Sequence, residues 1–210
     1  MAQEAATIET FGAALEGSGK PFVVASGTPG VPGRASTEKD PPLTEGLIGA
    51  RGRNAQAVVA LAARGVRSSV VRLPRSVHAQ GERSGCASML VDSARRTGIS
   101  SYVGDGTQRW PAVHRLDAAR LFRLVLEHAN PGTVVHAVGD EGDPMRAIAE
   151  VIGRVLELPV QAAPVETFGF FGSVFAQDQP SSSAWTREKF AWHPTHPSLL
   201  ADLEAGNYPA

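Results

Sequence analysis

Short, β-branched apolar runs punctuate this chain, in "PFVVASGT", "VRSSVVRLP" and "TVVHAVGD", and helical periodicity fills the space between them. A strand that reads as continuously apolar, rather than alternating, is covered on both faces. Such strands pair in parallel, and parallel neighbours need a crossover connection, usually a helix. The helices are legible. "EAATIETFGAALEG" places Ile8, Phe11, Ala14 and Leu15 on one face. "ARGRNAQAVVALAARG" stops at Gly65, and "SGCASMLVDSARRTG" follows the second strand. "RLDAARLFRLVLEHA" carries Asp117 where a first turn favours an acid. "SSYVGDG" reads as strand and turn. "DPMRAIAEVIGRVLEL" predicts a helix with Asp143 as N-cap and Pro144 at its first position. The alternation implies one α/β domain, with a sheet-and-helix core over residues 1–140 and a less regular, helical lobe over 141–210.

With 20 basic and 21 acidic residues the formal net charge is -1, so no overall field draws nucleic acid or an anionic membrane. No apolar run approaches the length of a membrane span, and "MAQEAATIET" lacks the basic start and apolar stretch of a secretory signal. The expected location is the cytoplasm. The single cysteine, Cys86, excludes an internal disulfide and a cysteine zinc cluster, and is read as a small packed residue.

Gly27, Gly30 and Gly33 have the Gly-x-x-Gly-x-x-Gly spacing of a dinucleotide loop. Such a loop needs a helix at its last glycine, to offer N–H groups and a positive dipole end to the pyrophosphate. Here Gly33 runs into "RASTEKDPP", and Pro29 and Pro32 carry no N–H. The spacing is therefore read as coincidental. The strand end itself is a different matter, because open parallel sheets bind ligands beyond the carboxyl ends of their strands. Ser26 and Thr28 lie at one such end and the segment Pro74 to His78 at the next; ordinary loop polarity is the competing reading.

Other groupings leave two readings each. His193 and His196 form His-x-x-His, but Pro194 and Pro197 prevent the helical turn that usually carries such ligands, so no metal site is expected. His114 and Asp117 either pair or separately orient a strand and a helix start. Phe168, Phe170, Phe171 and Phe175 either line an apolar pocket or pack. Arg51, Arg53, Arg75 and Arg109 either converge on an anion or are solvated.

In order along the chain, "VVASGT", "VVRLPRSVHAQG", "WPAVHRLDAARLFRLVLE" and "TREKFAWHPTHPSLLADL" resemble the extended short-chain dehydrogenase/reductase family, in its atypical NAD-dependent epimerase/dehydratase-like branch. The matching positions are Arg72, Pro74 and Val77, with His78 in place of the family's tyrosine. Val113, His114, Asp117 and Ala118 follow, then Trp192 and Pro194. The resemblance implies a partial Rossmann-like parallel sheet, the second half of the family's sheet, with a small C-terminal substrate lobe. It also implies an oxidoreductase or epimerase ancestry.

Two departures shape the functional expectation. The family's glycine-rich loop, acidic ribose contact and first strands have no counterpart here, so the chain reads as a truncated member that binds no cofactor by itself. NAD(P) enters only if an N-terminal half is supplied. The family's Tyr-x-x-x-Lys aligns with Arg51 and Ala55; arginine does not titrate near neutrality and alanine has no polar group. Hydride transfer is thus not expected of this chain alone. A small molecule is expected at the strand ends, with His78 and Ser26 as catalytic candidates, His78 being a group that titrates near neutrality. Thr28, Arg51, Arg75, Trp110 and His114 are expected to bind substrate, and Pro74 holds the family's cofactor-side position. The alternatives are a non-catalytic binding or regulatory module, or a fragment of a two-part NAD(P)-dependent oxidoreductase. Without the missing strands, Phe22 to Ala25 become an apolar sheet edge, which implies a homodimer or heteromer.

Overall fold

A computed structural model of the chain describes residues 2–46, 49–81, 85–206 and 208. It is an α/β fold of parallel strands joined by helices. Helix α1 (Ala2–Leu15) leads into β1 (Pro21–Gly27), followed by α2 (Gly49–Ala60), β2 (Arg67–Leu73) and β3 (Ser76–His78). Next come α3 (Cys86–Thr97), β4 (Ser100–Val103), β5 (Arg109–His114), α4 (Arg115–His128), β6 (Thr133–His136) and β7 (Asp140–Pro144). Helix α5 (Met145–Leu156), β8 (Val160–Ala163), α6 (Gly172–Phe175), α7 (Ala184–Phe190) and α8 (Leu199–Glu204) complete the chain.

The principal sheet has the order β1-β2-β6, all parallel, with Ser26 opposite Arg72 and Arg72 opposite His136. Its middle strand explains the apolar runs. Val70 and Val71 point to opposite faces, and both are fully buried. Val70 packs with Ile8 of α1 and with Ala55, Val58 and Leu61 on and after α2. Val71 packs with Leu121 and Val125 of α4 and with Val135 of β6. Strand β1 pairs only with β2 among the described residues, and Phe22 to Ala25 are half-buried, so the expected edge is present.

A second sheet, β3-β5-β7, places Ser76 opposite Ala112 and His78 opposite His114 in parallel, while β7 runs antiparallel to β5. Strands β4 and β8 pair separately. Sequence periodicity marks none of β3, β5, β7 and β8. The third cluster of apolar side chains, with Trp110, Met145, Ile148, Leu199 and Leu203, joins this region to α5 and α8.

The helix start expected at Asp143 is corrected. Pro144 closes β7, and α5 begins at Met145 with no side-chain cap. Its first N–H groups go to loop carbonyls instead, Met145 to Gln108 (2.9 Å) and Arg146 to Gly106 (3.0 Å). Asp143 is thereby left for the sheet.

No helix follows Gly33, a turn residue with φ of 78°; the next one is α2. The polar residues of this loop tie it down. Arg34 clamps Asp40 with two bonds (2.6 and 2.8 Å), and the Asp40 carbonyl accepts from Arg72 (2.9 Å). Ser36 pairs backbone with residues 180 and 182. Glu38 accepts from the Thr186 backbone and hydroxyl (3.0 and 2.6 Å). The Gly-x-x-Gly-x-x-Gly spacing thus belongs to a tethered loop.

Candidate functional site

Most of the residues singled out from sequence fall into two neighbouring groups, one around the carboxyl ends of β1 and β2 and one on a face of the β3-β5-β7 sheet. At the ends of β1 and β2, the Thr28 N–H donates to the Leu73 carbonyl (3.0 Å). The Thr28 carbonyl accepts from the Gln179 amide, whose oxygen accepts from Arg75. Arg75 lies over the Trp110 ring at 5.4 Å, directly after Pro74, and also donates to the Val174 carbonyl. Thr28, Arg75 and Trp110, with Pro74 beside Arg75, are therefore one connected patch, held together by Gln179, which sequence reasoning does not single out; Ser26 is buried two residues before Thr28 on β1. Burial pushes the Arg75 guanidinium down from its ordinary value. The Thr28 hydroxyl is buried with no hydrogen-bond partner.

Behind this patch is a second missed residue, His136. Arg72 can only donate, so its contact with His136 Nε2 (3.3 Å) fixes that nitrogen as acceptor. The ring proton then sits on Nδ1 and is donated to the Ser182 carbonyl (2.8 Å). Burial is the main cause that lowers the His136 pKa to about 4. A histidine at the end of an apolar strand was the available signal.

The other group lies on one face of β3-β5-β7, because Ser76 and His78 alternate with Val77, and Trp110, Ala112 and His114 alternate with Pro111 and Val113. His78 is fully buried, enclosed beneath α8 rather than exposed at a pocket mouth. Its Nδ1 meets the Asp202 carboxylate at 3.0 Å, and its Nε2 has no partner. The Ser76 hydroxyl, the Trp110 indole N–H and one Asp143 oxygen are also buried without partners. Burial, and then the nearby Asp140 carboxylate, push the Asp143 pKa up to about 6, against the opposing pull of His78.

Beside His78 stands His114, edge to face at 5.4 Å, and on His114 stacks His196 at 4.5 Å with the rings 6° from parallel. His114 does not pair with Asp117. Its Nδ1 is the N-cap acceptor of α4, taking the Leu116 N–H (3.3 Å). Asp117 pairs with His196 Nδ1 (2.9 Å) and accepts the N–H groups of Thr195 and His196 (3.1 and 3.0 Å). His114, Asp117 and His196 place donor atoms within 4.8 Å of one another. They do not form a chelate as arranged. An ion must lie in the plane of each imidazole that binds it, and stacked parallel rings share no such point.

The four arginines do not converge. Arg51 is exposed on α2, Arg53 bonds the Thr44 carbonyl, and Arg109 is held by Asp178 through contacts of 3.1 and 2.8 Å. Ala55 is buried in the core that α1 and α2 form with β2. The phenylalanines divide as well. Phe175 is buried edge-on to Trp110 (5.0 Å), whereas Phe170 is 69% exposed. Cys86 is half-buried, and burial raises its thiol pKa.

No protein-family model matches the sequence. Two curated relatives do. The protein C2A9.02 of Schizosaccharomyces pombe is 37% identical over 215 residues, covering 98% of this chain and 70% of its own. The protein YLL056C of Saccharomyces cerevisiae is 41% identical over 199 residues, covering 92% of this chain and 66% of its own. The chain belongs to the family of these two yeast proteins. Both are described as uncharacterized, and the chain spans about two thirds of the length of each.

Solved structures show the fold of this family. A dTDP-glucose 4,6-dehydratase from Bacillus anthracis, in complex with NAD, superposes with a TM-score of 0.73 at 14% identity. The match covers 94% of this chain and 64% of that one. The Streptomyces venezuelae dTDP-glucose 4,6-dehydratase DesIV gives 0.74 at 15%, covering 96% and 62%. The Thermus thermophilus UDP-glucose 4-epimerase, also with NAD, gives 0.68 at 16%, covering 88% and 62%. At these identities the likeness is one of fold, the Rossmann-like architecture of NAD-dependent epimerases and dehydratases.

Proposed function

We propose that this chain binds a small polar molecule beyond the carboxyl ends of its strands and acts on it by acid–base chemistry, without hydride transfer of its own. The observation that carries the reading is His78. A buried imidazole whose Nδ1 is held by a carboxylate, and whose Nε2 is left without a partner, has the arrangement of an oriented general base. In this reading Nε2 removes or returns a proton, Asp202 fixes the ring and offsets its charge, and Asp143 is a second proton-exchanging group on the same face. Arg75, over Trp110 and linked to Thr28 through Gln179, supplies cationic and apolar surface for the ligand; Ser26 and Pro74 border it.

The residues present do not fit a dinucleotide. The loop after β1 offers no helix start, Pro29 and Pro32 lack N–H donors, and Arg34, Ser36, Glu38 and Asp40 are engaged with the protein itself. By the resemblance to the dehydrogenase family, its tyrosine and lysine positions fall on Arg51 and Ala55, which supports this reading. The NAD-bound neighbours favour one other reading, in which the chain serves as the substrate side of a larger NAD(P)-dependent oxidoreductase.

A thermal-shift screen of free sugars, sugar phosphates and nucleotide sugars tests the proposal. The expected result is a stabilising ligand whose effect is lost in Arg75→Ala, and whose turnover is lost in His78→Asn. A ligand that binds but is never transformed would make the chain a binding module. No stabilising ligand at millimolar concentration would reject the site.

A further inference from the structure

Arg75 stands at the strand ends as a cation without a counter-charge. Its side chain is half-buried and lies over the Trp110 ring. Its partners are all neutral oxygens, those of the Val174 carbonyl and of the Gln179 and Gln177 side chains. Among the described residues no carboxylate pairs with it, and the ionisable group that acts on it is the Cys86 thiol, which burial holds toward the neutral form. Cys86 opens α3, so the helix end nearest Arg75 is the positive one. Taking a guanidinium partly out of water among dipoles alone costs free energy that an ion pair would offset.

Other arginines show the contrast. Arg72, on β2, is buried more deeply, yet the Asp40 and Glu38 carboxylates act on it. The exposed Arg34, Arg109 and Arg154 each meet a carboxylate directly. Arg187 lies over Trp192 much as Arg75 lies over Trp110, but its Nε is bonded to the Ser183 hydroxyl. The Arg75 Nε makes no bond within the chain and is not sealed from solvent. Of the five N–H groups of a guanidinium, the one on Nε and one on Nη1 are left over. The Gln177 contact, at 3.5 Å, is at the limit of a hydrogen bond and is easily exchanged. Gln179 meanwhile joins Arg75 to the Thr28 carbonyl, and the buried Thr28 hydroxyl also lacks an acceptor. Two donor groups in one network are thus short of acceptor oxygens, and an ionised oxyanion supplies acceptors only.

We propose that Arg75 is an anion-recognition residue, and that the small molecule taken at the strand ends is an acid whose carboxylate or phosphate seats on it. The inference rests on the function proposed above and narrows its substrate class. Arg75 immediately precedes β3 and His78 ends it, so three residues of strand, roughly 10 Å, separate the two. The charged group therefore orients the acid, and the part acted on lies elsewhere in the molecule.

Calorimetric titration of the full chain with glucose, glucose 6-phosphate, glucuronate and inorganic phosphate tests it. At least one anion is expected to bind with a Kd of about 1 mM or tighter, and glucose about tenfold more weakly or worse. Arg75→Gln is expected to lose about tenfold or more of the anion affinity, and Arg75→Lys less, because it keeps the charge but not the fork. Arg123→Gln, exposed on α4, should leave the affinity unchanged. Should the Arg75 variants not fold, the Nε–H resonance of Arg75 in the native chain must shift with the anion and not with glucose. Glucose binding as tightly as the anions, anion binding unchanged in Arg75→Gln, or no anion binding up to about 20 mM would each overturn the assignment. A neutral ligand turned over through His78, with no anion bound, would remove the anion site and leave the proposed function. Anion binding at Arg75 without turnover of any ligand would uphold the site and remove the acid–base reading.

Discussion

Asp143 and His136 show how one residue type serves a different purpose once it is buried. Asp143 is half-buried beside Asp140, and its pKa is raised to about 6. A carboxyl whose folded value lies above its unfolded value costs stability when ionised, and the cost disappears as pH falls toward the unfolded value. Asp143→Asn is thus expected to stabilise the chain at pH 7 to 8. Linkage sets a ceiling of about 3 kcal/mol, which solvent screening of a half-exposed group reduces to about 1 kcal/mol. The gain should vanish near pH 4, which urea unfolding at a series of pH values would show; a destabilised variant at pH 8 would contradict the placement. His136 acts in the opposite sense. Its folded value of about 4 lies below 6.5, so its stabilising contribution is full above 6.5 and is lost as pH falls from 6.5 toward 4. His136→Gln should flatten that part of the acid limb. Neither role was legible. Asp143 before Pro144 reads as a helix cap, and only the diversion of the α5 N–H groups to Gln108 and Gly106 shows why it is not one.

Among elements, β1, β2 and the long helices follow from periodicity, because a strand such as β2 buries both faces and a helix such as α3 presents one apolar side, whereas β5 is hidden by the turn and helix signals on either side of it. The short strands β3, β7 and β8 do not follow. They contain three to five residues, and β7, "DEGDP", has no apolar pattern at all; its pairing with β5 is imposed by the tertiary fold. The candidate site was legible in part. His78, Arg75 and Trp110 could be named, but the Asp117–His196 contact spans 79 residues and leaves no local signal. The tethered loop 28–46 makes its own prediction. Gly52 of α2 sits against the Leu43 carbonyl, where a Cβ would collide with backbone. Gly52→Ala should therefore cost about 1–3 kcal/mol and loosen the loop, seen as a lower urea midpoint and faster proteolysis near residues 34–46. A variant as stable as the native chain would show that the loop yields easily.

At the scale of the molecule, β1 is the exposed consequence of the strand order. Phe22, Val23, Val24 and Ala25 carry no charge, and Phe11 of α1, half exposed, stacks on Phe22 at 5.6 Å. We propose that this edge pairs with a second copy or a partner chain. Light scattering at tens of micromolar is expected to report a dimer that Val24→Lys weakens, and a stable monomer would reject the proposal. The central claim is that the strand ends serve acid–base chemistry on a small molecule rather than dinucleotide-dependent hydride transfer. Calorimetric titration of this chain with NAD and NADP, oxidised and reduced, tests it most directly. The account predicts no binding tighter than about 100 µM, a free energy weaker than roughly −5.5 kcal/mol. Sub-micromolar affinity would contradict it, and would mean that the loop of Gly27, Gly30 and Gly33 cradles a pyrophosphate after all.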